Sequence, residues 1–526
     1  MSDETVDFGS PVREGQGWGH SLITPAKGAL ALVLVLGVLT LLFPIGLVRD
    51  YFNHLARNHI ESAIWFDADI QQHYRLSFDV IPDMTMDLVV PWLSWLFGTW
   101  RAGALTIWLA LVLPALGGIA IARTAHGRVT WLALGGFLAA FNVGMEWGFV
   151  NYVASSGLAL LAFAVWMRTE PGLKRTLMFA PLGLLLALNH ALAFLLFGFL
   201  AMVWELASFA EGERGARWPF LRRAATLDLP AMLPGIALII LATLGASDLP
   251  RGTADFFSLP QKAYGFSSGF YFFNSTVGFV ALLGVCSLAG WLLVKRYIEL
   301  PRKLTWVCAG LLLLNIVIPT SVLGIWGLHL RFVPPLVIVF FASAQFTRKA
   351  PVMARQVSGV VMFGLGTMMF LNGAVHMAQT DSKADEVRSL LSAMPRGARM
   401  LSAYDAGPGF DLPFAMHASG IAVIERSAYV PGLFTNTSPV DVALSNIEIH
   451  MPQSLPIGVG ELEAAARRPS AHSENGYWSL GYADNWPERW DYLLFFKGSP
   501  SSSLDGLPVC ERARSDNAIL YKTGRC

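Results

Sequence analysis

Charge is scarce in this 526-residue chain: Asp, Glu, Lys and Arg make up 14% of it against 54% hydrophobic residues, and the mean hydropathy is +0.50. Such a composition excludes an ordinary soluble protein and points to a polytopic membrane protein. Cysteine is nearly absent, with four in all. There is no CxxC, no HExxH, no Walker loop and no GxGxxG placed after a strand, so zinc-protease and soluble nucleotide chemistry find no support, and no nucleic-acid partner is expected. A small-residue cleavage site after the first apolar run is also missing, and about 28 mostly polar residues precede that run. It is therefore expected to stay as an anchor, not to be removed as a signal peptide.

What the chain does have is long uncharged stretches. Residues 29–48 carry no charge, and at about 1.5 Å of rise per residue such a run crosses a hydrocarbon core of roughly 30 Å. The same pattern predicts spans near 27–48, 103–122, 129–145, 151–167, 176–188, 191–208, 229–246, 276–294, 304–321, 332–346 and 357–376, eleven in all. Every second connection is basic: Arg123 and Arg128; Arg168, Lys174 and Arg175; Arg214, Arg217, Arg222 and Arg223; Lys295, Arg296, Arg302 and Lys303; Arg348, Lys349 and Arg355. Basic connections stay in the cytoplasm. The stretch around Asn189-His190 has basic flanks on both sides, which requires a hairpin of two spans in place of one tilted helix.

An odd number of spans from a cytoplasmic N-terminus puts the C-terminal region outside, and there the composition changes. Residues 381–393 have helical apolar spacing at Val387, Leu390 and Leu391, while 399–404, 421–425, 490–497 and 518–521 are expected as short strands. The domain plan is a cytoplasmic tail 1–26, a transmembrane domain 27–376 with a long outer loop 49–101, and a small extracytoplasmic α/β domain 377–526. Cys286 and Cys308 lie in apolar spans as small hydrophobes. Cys510 and Cys526 flank an expected hairpin turn at 515–517, where an oxidising compartment permits a disulfide worth about 3 kcal/mol.

Polar residues gather at the outer membrane edge, where they are costly unless they have a task. Arg49-Asp50-Tyr51-Phe52-Asn53-His54-Leu55-Ala56-Arg57 follows the first span directly. Asp50, Asn53, His54 and Arg57 fall on one stripe of an amphipathic helix expected to lie along the interface; a solvated face with Arg57 reaching lipid phosphates is the competing reading. Asp67 and Asp69 read as a helix cap or a metal pair, and Asp79, Asp83 and Asp87, spaced by four, as solvated or hydrogen-bonded at helix starts. Met145-Glu146-Trp147-Gly148-Phe149-Val150-Asn151-Tyr152 is a connection of almost no length, in which an aromatic belt explains the rings but not Glu146 or Asn151. His190 marks a helix break. Gly327-Leu328-His329-Leu330-Arg331 places His329 and the sole guanidinium of its loop before the tenth span, and a fixed fork of donors suits a phosphate, with lipid anchoring as the alternative. Lys262, near Tyr264 and Tyr271, is a candidate of the same kind.

A first span followed at once by an acidic residue in a long outer loop, then many spans, then a small outer α/β domain, resembles the GT-C class of membrane glycosyltransferases. The run from Asp50 to Arg57, with Met86-Asp87-Leu88-Val89-Val90-Pro91 and Trp147-Gly148-Phe149-Val150-Asn151-Tyr152, is similar to a set of bacterial membrane proteins grouped with those enzymes. The resemblance implies a polytopic α-helical protein of the bacterial inner membrane. Such an enzyme takes a sugar from a polyprenyl-phosphate carrier and passes it, usually with inversion, to a lipid, glycan or protein acceptor. It implies Asp50 as general base, Asp69 or Asp67 as a second carboxylate, and Arg331 and Lys262 as stabilisers of the leaving phosphate. Asn53, His54, Arg57, Glu146, His190 and His329 join them as candidates for phosphate or acceptor binding. No cofactor is implied, and a divalent metal is neither required nor indicated. Asp50 is followed by Tyr51 where some relatives have another acid, which leaves metal dependence and acceptor type open.

Other functions stay open beside this one. A lipid-linked glycan flippase or transporter should show charges within its helices or an internal repeat. An O-antigen-ligase-like or acyl-transferring envelope enzyme would concentrate arginines and a histidine in a large late outer loop, and a non-enzymatic scaffold for polysaccharide assembly is a further reading. The outer domain is expected to bind acceptor or to stabilise, with Trp478, Trp486 and Trp490 stacking on sugar or packing a core.

Overall fold

The computed structural model describes residues 24–524 apart from 48, 78–81, 212–216, 246–257, 323–324, 436–438, 453 and 469–479. In chain order its helices begin with α1 (Pro25–Leu42), which starts on the Thr24 cap, α2 (Asp50–Ala63), α3 (Ala68–His73) and α4 (Thr85–Phe97). They continue with α5 (Thr99–His126), a 3-10 segment (Leu132–Ala139) running toward α6 (Val143–Glu146), α7 (Val150–Arg168), α8 (Leu173–Asn189) and α9 (Ala191–Glu211). Then come α10 (Arg217–Arg223), joined through a π-helical turn to α11 (Leu229–Gly245), α12 (Leu259–Ser267), α13 (Ser275–Val294), α14 (Arg302–Val317), α15 (Val333–Ser343) and α16 (Val352–Leu391).

Seven of these are long and apolar enough to cross a membrane: α1, α5, α7, α9, the run Trp218–Leu244, α13 and α16. The other four expected spans fall on shorter pieces, namely Leu132–Ala139 with α6, α8, α14 and α15. A count of eleven holds only if those cross as well. Large apolar side chains point outward from the bundle, with Val360 72% and Phe363 77% exposed, as suits helices solvated by lipid. Inside, α5 and α7 pack closely because Gly157 lies against backbone: a Cβ there would sit 2.4 Å from the Leu113 carbonyl carbon. The break expected near Asn189-His190 is present. His190 is extended, between helices that pack on each other.

The C-terminal region carries a five-stranded sheet. Its strands are β2 (Met400–Tyr404), β4 (Ile457–Gly458), β5 (Tyr492–Phe496), β6 (Val509–Arg514) and β7 (Ala518–Thr523), in the spatial order β6-β7-β5-β2-β4. β2 is parallel to β4 and β5, and the β5-β7-β6 ladder is antiparallel. β5 is buried along its whole length, the mark of a central strand covered on both faces. A separate pair joins the segment after α3 to the C-terminal region: β1 (Tyr74–Leu76) runs antiparallel to β3 (Val440–Val442).

Three expectations need correction. Residues 421–425 form not a strand but part of helix α18 (Gly420–Arg426), which follows the short α17 (Leu412–Ala415). A run of four apolar residues fits either period, and in the helix Glu425 accepts from both Trp100 and Arg388 on neighbouring helices. Second, a boundary at 376 cuts through α16, a single helix of 40 residues, about 60 Å long. Third, α2 does not lie on a membrane surface: every residue from Tyr51 to Asn58 is buried. Trp486 and Trp490 are core residues, 0% and 2% exposed, and Trp478 lies outside the described residues.

Candidate active site

The site is built around the first turn of α2. Arg49, just before it, holds a positive φ of 56° that a non-glycine residue adopts only at a cost. Three contacts hold it there. Its guanidinium pairs with Glu146 at 2.9 Å and lies 3.9 Å above the Trp147 ring, and its N–H donates to the Pro413 carbonyl. Asp50 is thereby set at the helix N-terminus, where unpaired backbone N–H groups favour a carboxylate. Its side chain is 21% exposed and Oδ1 stands 3.5 Å from Nε2 of His417.

One turn further, Asn53 binds the C-terminal region. Its Nδ2 donates to the Gly432 carbonyl at 2.8 Å and lies 3.4 Å from His417 Nδ1, while its Oδ1 accepts from Phe434 N–H at 2.9 Å. α18 packs on the same helix so tightly that a Cβ at Gly420 would come within 2.7 Å of the Phe52 carbonyl oxygen. His54 is buried against Phe434, and its Nδ1 has no hydrogen-bond partner. Burial, then the charges of Arg57, His417 and His190, push its pKa well below the usual imidazole range, so it is neutral.

Above α2 lies a second cluster, at the ends of three helices. Asn151 at the start of α7 accepts from Met86 N–H at 2.8 Å and donates to the Asp83 carbonyl at 3.2 Å, which fixes the approach to α4. His190 uses Nδ1 to accept from Leu192 N–H, at the start of α9, leaving Nε2 3.8 Å from Asp83 Oδ1. About a third of the Asp83 side chain is accessible (34%), yet protein crowds it, and desolvation raises its pKa to about 7 against the pull of Arg57 and Arg331. Arg331 is 9% exposed, with its guanidinium 4.4 Å from the Phe149 centroid and 5.5 Å from that of Tyr152. Tyr152 Oη donates to its carbonyl at 2.5 Å. Among the described residues Arg331 makes no ion pair, and its Nε is buried without a partner. Burial lowers its pKa, while the nearby charges of Asp83 and Asp50 oppose the shift.

Several expected site residues are occupied elsewhere. Arg57 does not reach lipid; it is fully buried and donates from Nη2 to both oxygens of Asp87, at 3.1 and 3.3 Å, alongside Asn58 and Glu61. Glu146 is taken by Arg49 and by Phe273 N–H at 2.8 Å. Lys262 caps the end of α14, donating to the carbonyls of Ile318 and Asn315, where an ammonium suits the helix C-terminus. His329 is buried beneath α12, its carbonyl 2.9 Å from where a Gly265 Cβ would be. Asp69 is not brought to Asp50. It lies beyond the far end of α2, about 20 Å along the chain axis, paired with Arg396 at 3.1 Å, while Asp67 caps α3. Cys510 is disulfide-bonded, and Cys526 lies outside the described residues.

Two residues of the site were not singled out from sequence. His417 lies more than 360 positions from Asp50, and only the interlock of α2 with the C-terminal region brings it near. Asp83, one of three aspartates spaced by four, gives no signal in the sequence that separates it from Asp79 and Asp87. Among the described residues no three His, Cys, Asp or Glu side chains converge as metal ligands. An apolar groove of about 1060 Å³, open on the surface of the bundle, lies elsewhere between α1, the segment 131–141 and α16, lined by residues such as Leu36, Phe137 and Met369.

No protein-family model and no curated protein matches this sequence. Solved structures do. A crystal structure of ArnT from Cupriavidus metallidurans bound to undecaprenyl phosphate superposes with a TM-score of 0.53 over 94% of this chain and 97% of that one, at 14% identity. The apo structure of the same protein gives 0.51 over 95% and 98%, at 12% identity. Likeness across almost the whole of both chains, with so little sequence in common, shows that this chain shares the fold of ArnT.

Proposed function

We propose that this chain transfers a sugar from a polyprenyl-phosphate carrier to an acceptor hydroxyl at the outer face of the inner membrane, with Asp50 as the base. The observation that carries the reading is Arg331: a buried guanidinium without a carboxylate partner, close enough to Asp50 and Asp83 to feel their charge. An unpaired buried charge is costly, and an incoming anion offsets that cost. A phosphate suits it best, since the fork of donors can meet two oxygens at once. The ArnT structure bound to undecaprenyl phosphate supports a lipid carrier in this fold.

In an inverting displacement the acceptor oxygen attacks the anomeric carbon as Asp50 takes its proton. The bond from that carbon to the phosphate oxygen breaks, and the electron pair leaves with the carrier. Arg331 meets the charge that develops there. Asp83, with its raised pKa and His190 beside it, is the second carboxylate in place of Asp69. The acceptor is a lipid, glycan or protein hydroxyl, and the C-terminal domain completes the wall against which it is held.

Comparing lipid-linked sugars and surface glycans of a deletion strain with its complements tests this. The strain should accumulate donor and lack one glycosylated product, restored by the wild type and not by Asp50→Asn; full restoration by Asp50→Asn would refute the reading. The proposed sidedness has its own check. Cysteines at Phe66 and Leu444 should react with an impermeant reagent in spheroplasts and one at Arg348 should not; the reverse pattern would put the site on the wrong face.

A further inference from the structure

We infer that His417, supplied by the C-terminal region, is a positioning residue for Asp50, presenting an N–H that fixes which carboxylate oxygen is left to take the acceptor proton. This rests on the reading of Asp50 as the base. The orientation of the imidazole follows from partners that have no choice of role. Phe434 N–H can only donate, so the Asn53 atom it meets at 2.9 Å is the oxygen. The Gly432 carbonyl can only accept, so the Asn53 atom 2.8 Å from it is the nitrogen. That nitrogen has a second hydrogen, and 3.4 Å away lies His417 Nδ1, which therefore offers its lone pair. A neutral imidazole with a bare Nδ1 carries its proton on Nε2, and Nε2 is the atom 3.5 Å from Asp50 Oδ1.

The ring has little freedom to turn away. His417 is 5% exposed, its ring meets Phe434 edge to face at 5.1 Å, and α17 and α18 on either side are held by the Asp411 cap and by the contact of Gly420 with Phe52. The titratable groups facing it from α2 are Asp50 and His54, and His54 is neutral. At 3.5 Å the two atoms are in contact short of a hydrogen bond, and a small turn of the Asp50 side chain toward substrate closes it to one. With Oδ1 so engaged, Oδ2 faces the acceptor. The C-terminal region is thus a part of the catalytic apparatus, not an appendage to it.

His417→Gln and His417→Met have side chains of equal length, and only Gln keeps an N–H donor at the end. With a polyprenyl-phosphate-linked sugar as donor, His417→Met should lower kcat about 10- to 100-fold with less than a twofold change in donor KM. It should also move the acidic limb of the kcat–pH profile upward, since Asp50 loses a donor that favours its ionised form. His417→Gln should recover wild-type kcat to within about threefold and restore the limb. Asn53→Ser frees the ring to adopt the other tautomer and should shift the limb in the same direction, which keeps the test alive if the Met variant fails to fold. An unshifted limb in both Met and Ser variants, or a Gln variant no better than Met, would overturn the inference. A wild-type protein that turns over no lipid-phosphate sugar would instead refute the underlying function.

Discussion

Two clusters of charge sit at the two ends of α8, about 22 Å apart, and they are built in opposite ways. At its start, Arg175 and Arg223 each face both Glu205 and Asp228. Arg175 also stacks 4.0 Å above Trp166, whose Nε1 donates to Glu205 at 2.9 Å. At its end, around His190, Arg331 has no ion-pair partner among the described residues, Asp83 is crowded but only loosely met by His190, and Asp50 keeps one oxygen open. The same residue types make a closed square of charges in one place and an incomplete circuit in the other. A closed set stabilises a helix junction; an incomplete one is poised for something that arrives.

The comparison can be broken most sharply at Asp50. Asp50→Asn should cut transfer by about 10³-fold with no loss of folded protein, measured as turnover per molecule extracted from the membrane. Arg175→Ala should do the reverse, destabilising the protein by about 3 kcal/mol by leaving two carboxylates to one guanidinium, while the surviving folded fraction turns over normally; thermal unfolding in detergent beside specific activity separates the two. Arg331→Lys keeps the charge but loses the fork, so donor KM should rise about tenfold with stability little changed. The last effect depends on pH and belongs to Glu61, buried beside Asp87. Burial first, and then Asp87, push its pKa up to about 10, against an ordinary value of 4.5. The fold therefore binds a proton that the unfolded chain releases. Stability from this group is full below about pH 4.5 and is lost as pH rises toward 10. Glu61→Gln should match the wild type near pH 4 to within about 0.5 kcal/mol and be the more stable at pH 8.

Much of this was legible in the sequence, for reasons of period and charge. Long uncharged runs located the seven helices that are long and apolar enough to cross a membrane, and the break expected near Asn189-His190 is where His190 stands. Asp50 stood out because a carboxylate directly after a span has few structural uses. What failed were predictions of partnership. Spacing put Asp50, Asn53, His54 and Arg57 on one face but could not say that Arg57 would find Asp87, that Lys262 would cap α14, or that Glu146 would hold Arg49. Each of those pairings joins positions distant in the chain, and local pattern carries no information about them. The same holds for His417. The strand expected at 421–425 failed differently, because four apolar residues are too few to separate a period of 2 from one of 3.6.

The 40-residue α16 ties these parts together mechanically. One rigid rod runs from the helix bundle into the packing beneath the five-stranded sheet, so its length sets a phase as well as a distance. A single residue inserted near its middle would turn everything beyond it by about 100° and lift it by about 1.5 Å. His417 would then swing out of line with Asp50 although neither residue had been altered. If Asp50 is the base, the number of residues in this helix is a catalytic parameter.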